Sequence, residues 1–210
     1  MRKDPPKMYA EEYLTHYYTL GCEPFRSLSA LPDEVALPLM ADLYERFRGS
    51  ILYERFRDPV GYLADRRRTE GWVRDAFIAK GGEPLEPYPV TMVFRESPWI
   101  VHHSPDRSLH AEVRIPLSRF AEGDVSFTFP DSMVSHWLGT EKPAPYYIEE
   151  LHGIVFTRTE VVSLVRERGL PELEWNVLLP ENVGAYIEAQ VWNQGPLRLV
   201  AAEIARSAGA

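Results

Sequence analysis

The sequence predicts an α+β fold, with a helical N-terminal layer (about 8–80) on a mixed or mainly antiparallel sheet (about 88–192). Up to about residue 80, apolar side chains recur at helical spacing and the segments are closed by glycine. After Gly82 the pattern changes to apolar and polar residues in alternation, in short runs bounded by turn residues. Helices first and strands afterwards favour segregated layers over repeated β-α-β units. The chain has 210 residues, enough for one sizeable core. A single domain over 1–210 is expected, with a helical part at 8–82 and a strand-rich part at 83–210.

In the first segment, "YAEEYLTHYYTLG", Tyr9, Tyr13, Leu14, Tyr17 and Tyr18 fall at helical spacing and Gly21 ends the run. "LPDEVALPLMADLYERFRG" follows, with Leu39, Met40, Leu43, Tyr44 and Phe47 on one side. Pro38 starts or kinks this helix. The hexapeptide LYERFR is then printed twice, nine residues apart. Nine residues turn a helix by about 900°, so on one continuous helix the copies would face opposite ways. Gly49-Ser50 between them predicts a break. Each copy is one amphipathic unit with Leu, Tyr and Phe inward and Glu and Arg outward. The next helix is the best marked, with Asp58 as N-cap, Pro59 at N1 and Gly81-Gly82 as its stop. On it Tyr62, Arg66, Glu70 and Arg74 form one i, i+4 line, beside the stripe of Leu63, Val73 and Phe77.

Strands are expected at "YPVTMVFR" (88–95), "HAEVRIPL" (110–117), "VSFTF" (125–129), "GIVFT" (153–157) and "AYIEAQVW" (185–192). "DSMVSHWL" predicts a short helix. "TRTEVVSLVRERGLP" predicts a longer one, with a Thr157/Glu160 capping box and a Gly169–Pro171 stop. The C-terminal "PLRLVAAEIARSAGA" is helical in pattern and expected to fray.

The composition is that of an ordinary globular chain, 45% apolar and 26% charged. Cys22 is its only cysteine, which excludes an intrachain disulfide and a Cys-rich zinc site. A reducing, cytoplasmic setting is the default. The N-terminus lacks the apolar core of a secretory signal, and no run approaches the length of a membrane span. The net charge of −8 argues against general nucleic-acid affinity. Yet Arg46 to Arg74 holds eight arginines against four acids, a local +4. Arg66, Arg67, Glu70 and Arg74 are the candidates there for a surface that meets an anion or a protein partner. Ordinary solvated helix faces explain the same cluster.

Motifs for a metal or a nucleophile are absent. His102, His103 and His110 lie near Asp106 and Glu112, but "VHHSPDRSLH" has no zinc spacing and the composition of a hairpin loop. No metal is expected. There is no Gly-x-Ser-x-Gly, no Walker loop and no Gly-x-Gly-x-x-Gly. Cys22 reads as a packing position. The strand "YIEAQVW" differs from a plain strand. Ile187, Ala189 and Val191 alternate to one face as core. Tyr186, Glu188, Gln190 and Trp192 alternate to the other, placing a carboxylate and an amide side by side between aromatics. A glutamate held there suits a sugar hydroxyl or a cationic transition state. The same residues also suit an edge-strand polar face.

"YIEAQVWNQGPLRLV" resembles the closing strand of DNA-targeting ADP-ribosyltransferase toxins, in which a Glu-bearing strand is followed by a Pro-apolar pair, here Glu188 and Pro196-Leu197. "MVFRESPWI" is similar to that family's segment leading into Arg, Ser and Pro, here Arg95, Ser97 and Pro98. The order of Arg, a Ser/Thr strand (Ser126, Thr128) and Glu is also the family's. The resemblance implies Glu188 as catalytic carboxylate, stabilising an oxocarbenium ion as nicotinamide leaves NAD, the substrate. It implies Arg95 on the NAD phosphates, and Ser97, Ser126, Thr128, Gln190 and Trp192 as ligand-binding. Of the family's histidine-bearing opening, "LTHYYT" offers Thr15-His16, in a segment with helical spacing. "YIEAQVWN" and "SFTFPDSM" also resemble a bacterial family, and that likeness implies no function.

An NAD-consuming transferase therefore predicts Arg95 and Glu188 on opposite walls of one cleft. A non-enzymatic interaction or homodimer domain predicts a contiguous Tyr/Arg surface on the N-terminal helices and no enclosed pocket. A small-ligand domain predicts the "YIEAQVW" face as the floor of a cavity.

Overall fold

A computed structural model describes residues 11–208 except Gly21; the side chains of 172, 173, 207 and 208 are also outside the description. The fold is α+β around a five-stranded, fully antiparallel sheet. In chain order its elements are β1 (Tyr13–Thr19), α1 (Asp33–Arg46), α2 (Pro59–Ala79), β2 (Val90–Phe94), α3 (Pro98–His103), β3 (His110–Pro116), β4 (Val125–Thr128), α4 (Ser132–Glu141), α5 (Arg158–Arg168), α6 (Pro171–Glu174), β5 (Glu188–Val191) and α7 (Gly195–Ala208). The strand order is β3-β1-β2-β5-β4.

The first expected helix is a strand. Residues 13–19 form β1, an interior strand between β3 and β2, and residues 8–10 lie outside the described residues. The spacing that suggested a helix also fits a strand, with Tyr13, Thr15, Tyr17 and Thr19 on one side and Leu14, His16 and Tyr18 on the other. Tyr and Thr prefer the pleated, half-buried setting. The N-terminal layer is therefore α1 and α2, not a run of helix from residue 8.

Both copies of LYERFR show one burial pattern: Leu and Tyr half-buried, Phe buried, Glu and Arg exposed. The first closes α1, which carries Pro38 inside it, and the chain turns at Gly49 with φ of 86°. The second is a turn entering a 3₁₀ segment, Glu54–Arg57. Phe47 and Phe56 both pack on Tyr53, with ring centroids 4.6 and 6.0 Å away. α2 begins as expected. The Asp58 carboxylate accepts from the Gly61 N–H at 3.0 Å, ahead of Pro59 at N1, worth about 1 kcal/mol.

The two sheet faces are buried differently. On one, Leu14, Phe94, Ile115, Phe127, Ile187 and Val191 form the main apolar core, closed by Val161 and Val165 of α5 and Leu197 of α7. Over the other lies α2. Its C-terminal half packs Val73 and Phe77 on Trp192 and Val155, and its middle turns bring Arg66 and Glu70 to Glu188.

"GIVFT" is not a strand of the sheet. It makes one bridge, Phe127 to Phe156. Gly153, at φ of 72°, lies so close to Gly139 that a Cβ on Gly139 would stand 2.4 Å from the Gly153 Cα. Thr157 then leaves as N-cap of α5, its capping box with Glu160 complete. α4, α5 and α7 form where the sequence places them, with 209 and 210 outside the described residues. "VHHSPDRSLH" is not a hairpin loop: β2 and β3 have β1 between them, and the segment is the end of α3 and a crossing turn. Cys22 is exposed rather than packed. Among the described residues no helix is long and apolar enough to cross a membrane.

Candidate functional site

β5 carries a buried group of polar side chains joined by hydrogen bonds. Its register pairs Glu188 with Val93 and Thr128, and Gln190 with Thr91 and Ser126. These side chains complete one another. The Ser126 hydroxyl donates to Gln190 Oε1 at 2.9 Å. Gln190 Nε2 donates to Thr128 Oγ1 at 2.9 Å and to Glu188 Oε1 at 3.1 Å. Trp192 Nε1 donates to Ser126 Oγ at 2.9 Å. The Ser132 N–H, at the start of α4, donates to Glu188 Oε1 at 3.2 Å. Buried polar groups are costly unless satisfied, so this network fixes the Glu188 carboxylate in place.

From above, α2 supplies charge. Arg66 Nε donates to Glu70 Oε1 at 2.7 Å, and its Nη1 lies 3.8 Å from Glu188 Oε2. The three residues are 8%, 1% and 5% exposed. Burial opposes the Arg66 charge, but Glu188, Tyr62 and Glu70 outweigh it and hold the guanidinium protonated. Burial pushes the Glu70 carboxyl above the usual range against the pull of Arg66. Asp131, N-cap of α4, is raised by burial and by the Glu188 charge. The Tyr186 hydroxyl is raised well above its usual range by burial and by Asp131 and Glu188, so it stays a donor.

Glu188, Arg66 and Glu70 line a cavity of about 320 Å³, at the lower end of the range for small-molecule sites. Aromatic rings of Tyr53, Phe56, Tyr62 and Tyr186 form much of its wall, and β1 contributes Thr15, His16 and Tyr17. Arg26 and Arg55 line it and are exposed, so they stand where it opens. His16 accepts from the Phe25 N–H at Nε2 (2.9 Å) and lies 3.3 Å from the Thr91 carbonyl at Nδ1. Burial lowers its pKa to about 4, so the ring is neutral at pH 7.

The structure gathers some expected residues and separates others. Glu188 lines the cavity, as a candidate catalytic carboxylate must. Ser126, Thr128, Gln190 and Trp192 are fully buried and do not line it; they bond to one another and support Glu188. Arg95 is outside the cavity lining, so the expected placement of Arg95 and Glu188 on opposite walls of one cleft is not met. Arg95 follows β2 at φ of 60° and forms a two-pronged pair with Glu12 at 2.7 and 2.9 Å. Ser97 is a helix cap: its hydroxyl accepts from the Ile100 N–H, while its own N–H donates to the Tyr17 hydroxyl. The expected arginine surface is not a surface at its centre, since Arg66 and Glu70 are buried. Arg67 donates to Ser29 O, Leu31 O and Asp33, clamping the chain ahead of α1 to α2. Arg74 is half-buried beside Pro84 O. Among the described residues His102, His103 and His110 are part of no group that could hold a metal ion; His103 and His110 pack at a tilt against Trp99 and Tyr17.

Arg26, Arg55, Tyr53 and Tyr62 escaped sequence reasoning as site residues, while Thr15 and His16, offered by the resemblance alone, do line the cavity. The Tyr/Arg repetition at 53, 55, 62 and 66 was visible, but nothing local showed that it would close over β5. No family model, curated protein or solved structure matches the chain.

Proposed function

We propose that the cavity is an active site of ADP-ribosyltransferase type, which takes NAD and breaks the bond between nicotinamide and ribose. The observation that carries this reading is Glu188: a carboxylate locked by Gln190 and the Ser132 N–H, on the wall of an aromatic-lined cavity that opens between arginines. A preorganised anion beside a carbon that becomes cationic lowers the barrier without reorganising. The bond's electron pair leaves with nicotinamide. The oxocarbenium carbon is then attacked by an acceptor, water at the simplest, which loses a proton.

The site differs from the resemblance that suggested it at the phosphate-binding group, and at Ser97, Ser126, Thr128, Gln190 and Trp192, which do not line the cavity. Arg26 and Arg55 replace Arg95 as the groups for the phosphates, because Arg95 is committed to Glu12. The "LTHYYT" segment, with Thr15 and His16, is a strand on the cavity wall, which supports the transferase reading. The lone, exposed Cys22 suits a reducing, cytoplasmic setting.

A second reading, a small-ligand binding domain without chemistry, is favoured by one fact: Arg66 already faces Glu188 at 3.8 Å. A homodimer built on the tyrosine-rich segment is less supported, because Tyr13, Tyr17 and Tyr18 are half-buried in the sheet.

Calorimetric titration of NAD into the wild type and Glu188→Gln, with nicotinamide measured in the product, decides between them. Binding by both and release only by the wild type supports the transferase. Binding without release leaves the binding domain. No binding overturns both uses of NAD.

A further inference from the structure

Among the described residues that line the cavity, Glu70 carries the one carboxylate oxygen that is fully buried and without a hydrogen-bond partner. Its Oε1 accepts from Arg66 Nε, but its Oε2 is buried and has no hydrogen-bond partner among the described residues. The Ser29 hydroxyl is near enough to favour the charged form without completing a bond of normal geometry. Native proteins rarely leave a buried acceptor unmet, because the desolvation cost is not recovered. Glu70 also lines the cavity, together with Glu188, Tyr62 and Phe56. The buried, inner end therefore holds Glu70 and Glu188 about Arg66, while Arg26, Arg55 and Asp106 of the lining are exposed.

We propose that Glu70 is a ligand-binding residue whose Oε2 takes an N–H or O–H donor of the molecule held in the cavity. The ligand class follows from the polarity. It carries a donor-rich neutral or cationic group at the inner end and an anionic group toward Arg26 and Arg55. Arg66 is the positioning residue, because it ties Glu70 and Glu188 to one guanidinium. Applied to NAD, the proposal rests on the reading above and seats the nicotinamide amide at Glu70.

Two nucleotides with one scaffold test it. Nicotinamide mononucleotide presents an amide donor, and nicotinic acid mononucleotide presents a carboxylate in its place. The wild type should prefer the amide by about 10–100-fold, the range for a hydrogen bond to a charged group. Glu70→Gln should reduce the preference to within a few-fold, since a glutamine amide can donate to the acid. A preference unchanged in Glu70→Gln overturns the proposal.

If neither nucleotide binds the wild type, the NAD reading fails, and Glu70 is then tested alone. Wild-type protein labelled with ¹³C at glutamate side chains is titrated with nicotinamide and, separately, with guanidinium chloride far below denaturing concentration. A saturable shift of the Glu70 carboxyl carbon by either donor supports the subsite. No shift with both overturns it, and this result does not depend on any variant folding.

Discussion

Ile187, Ala189 and Val191 on one side of β5, and Glu188, Gln190 and Trp192 on the other, are equally shut off from solvent. The first set packs into the main core with no polar atom to satisfy. The second closes a chain of hydrogen bonds from Trp192 through Ser126 and Gln190 to Glu188, and ends on Arg66 and Glu70. Burial of the first set is favourable by itself. Burial of the second is tolerated only because each group meets a partner. A fold that needed only stability has no use for two buried carboxylates and a guanidinium, so the polar face is where function is to be sought.

Removing one group from each face separates the two most strongly. Phe127→Ala should cost about 3–5 kcal/mol in urea unfolding, because a fully buried ring edge-on to Phe94 at 5.7 Å leaves a cavity. Arg66→Met should cost a similar amount, about 3–5 kcal/mol, for another reason: it strands Glu70 and Glu188. The two respond differently to rescue. The triple variant Arg66→Met, Glu70→Leu, Glu188→Met should recover most of the Arg66→Met loss while binding no ligand. No second deletion restores Phe127→Ala. If the triple variant is less stable than Arg66→Met alone, the charges on the polar face are there for stability and the contrast between the faces collapses.

Acid should act on a histidine set against the apolar side. His152 stacks on Phe129 at 5.8 Å and accepts from the Ile148 N–H at Nδ1. Burial lowers its pKa from 6.5 to about 4. The folded protein thus binds this proton less readily than the unfolded chain. The stability His152 contributes is fully present above about pH 6.5 and is lost as the pH falls through about 4, to the extent of about 2–3 kcal/mol. His16, lowered the same way, adds to the loss. Glu70 works in the opposite sense, since its raised pKa makes protonation favour the folded state. Unfolding free energy measured from pH 7 to pH 4 should fall. In His152→Asn, which can keep an acceptor for Ile148, about half of that fall should disappear. An unchanged slope would mean that His152 is hydrated in the folded protein.

The sequence made one face of this sheet easy to read and the other hard. Alternation in "YIEAQVW" assigned Ile187, Ala189 and Val191 to the core and set Glu188 and Gln190 apart, because strand periodicity is local. The capped helices α2 and α5 were legible for the same reason: Asp58-Pro59 and the Thr157/Glu160 box lie within one turn of what they cap. Tyr13–Thr19 misled because aromatic residues four apart suit both periods, and only pairing with β2 and β3 decides. The site required long-range facts. Arg66 and Glu70 lie over a hundred residues from Glu188 in the chain, so their shared line on α2 was visible but its burial was not. Arg95 stood in a fitting order beside Ser97, yet Glu12 holds it and the chain turns at φ of 60° there. The closing of the Ser126, Thr128 and Gln190 side chains on one another depends on strand register, which no local pattern specifies.

The smallest expected effect separates support from contact within the polar face itself. Trp192→Phe removes one hydrogen bond, from Nε1 to Ser126 Oγ, and keeps an aromatic ring against Val73 and Phe77. It should cost about 1 kcal/mol in urea unfolding. Trp192 does not line the cavity, and Ser126 still donates to Gln190, which still donates to Glu188. Affinity for nicotinamide mononucleotide should therefore stay within about 2-fold of the wild type, while Glu70→Gln lowers it about 10-fold or more. Equal losses in the two variants would mean that the network transmits strain from Trp192 to the cavity. The distinction between residues that hold Glu188 and residues that hold the ligand would then have no physical basis.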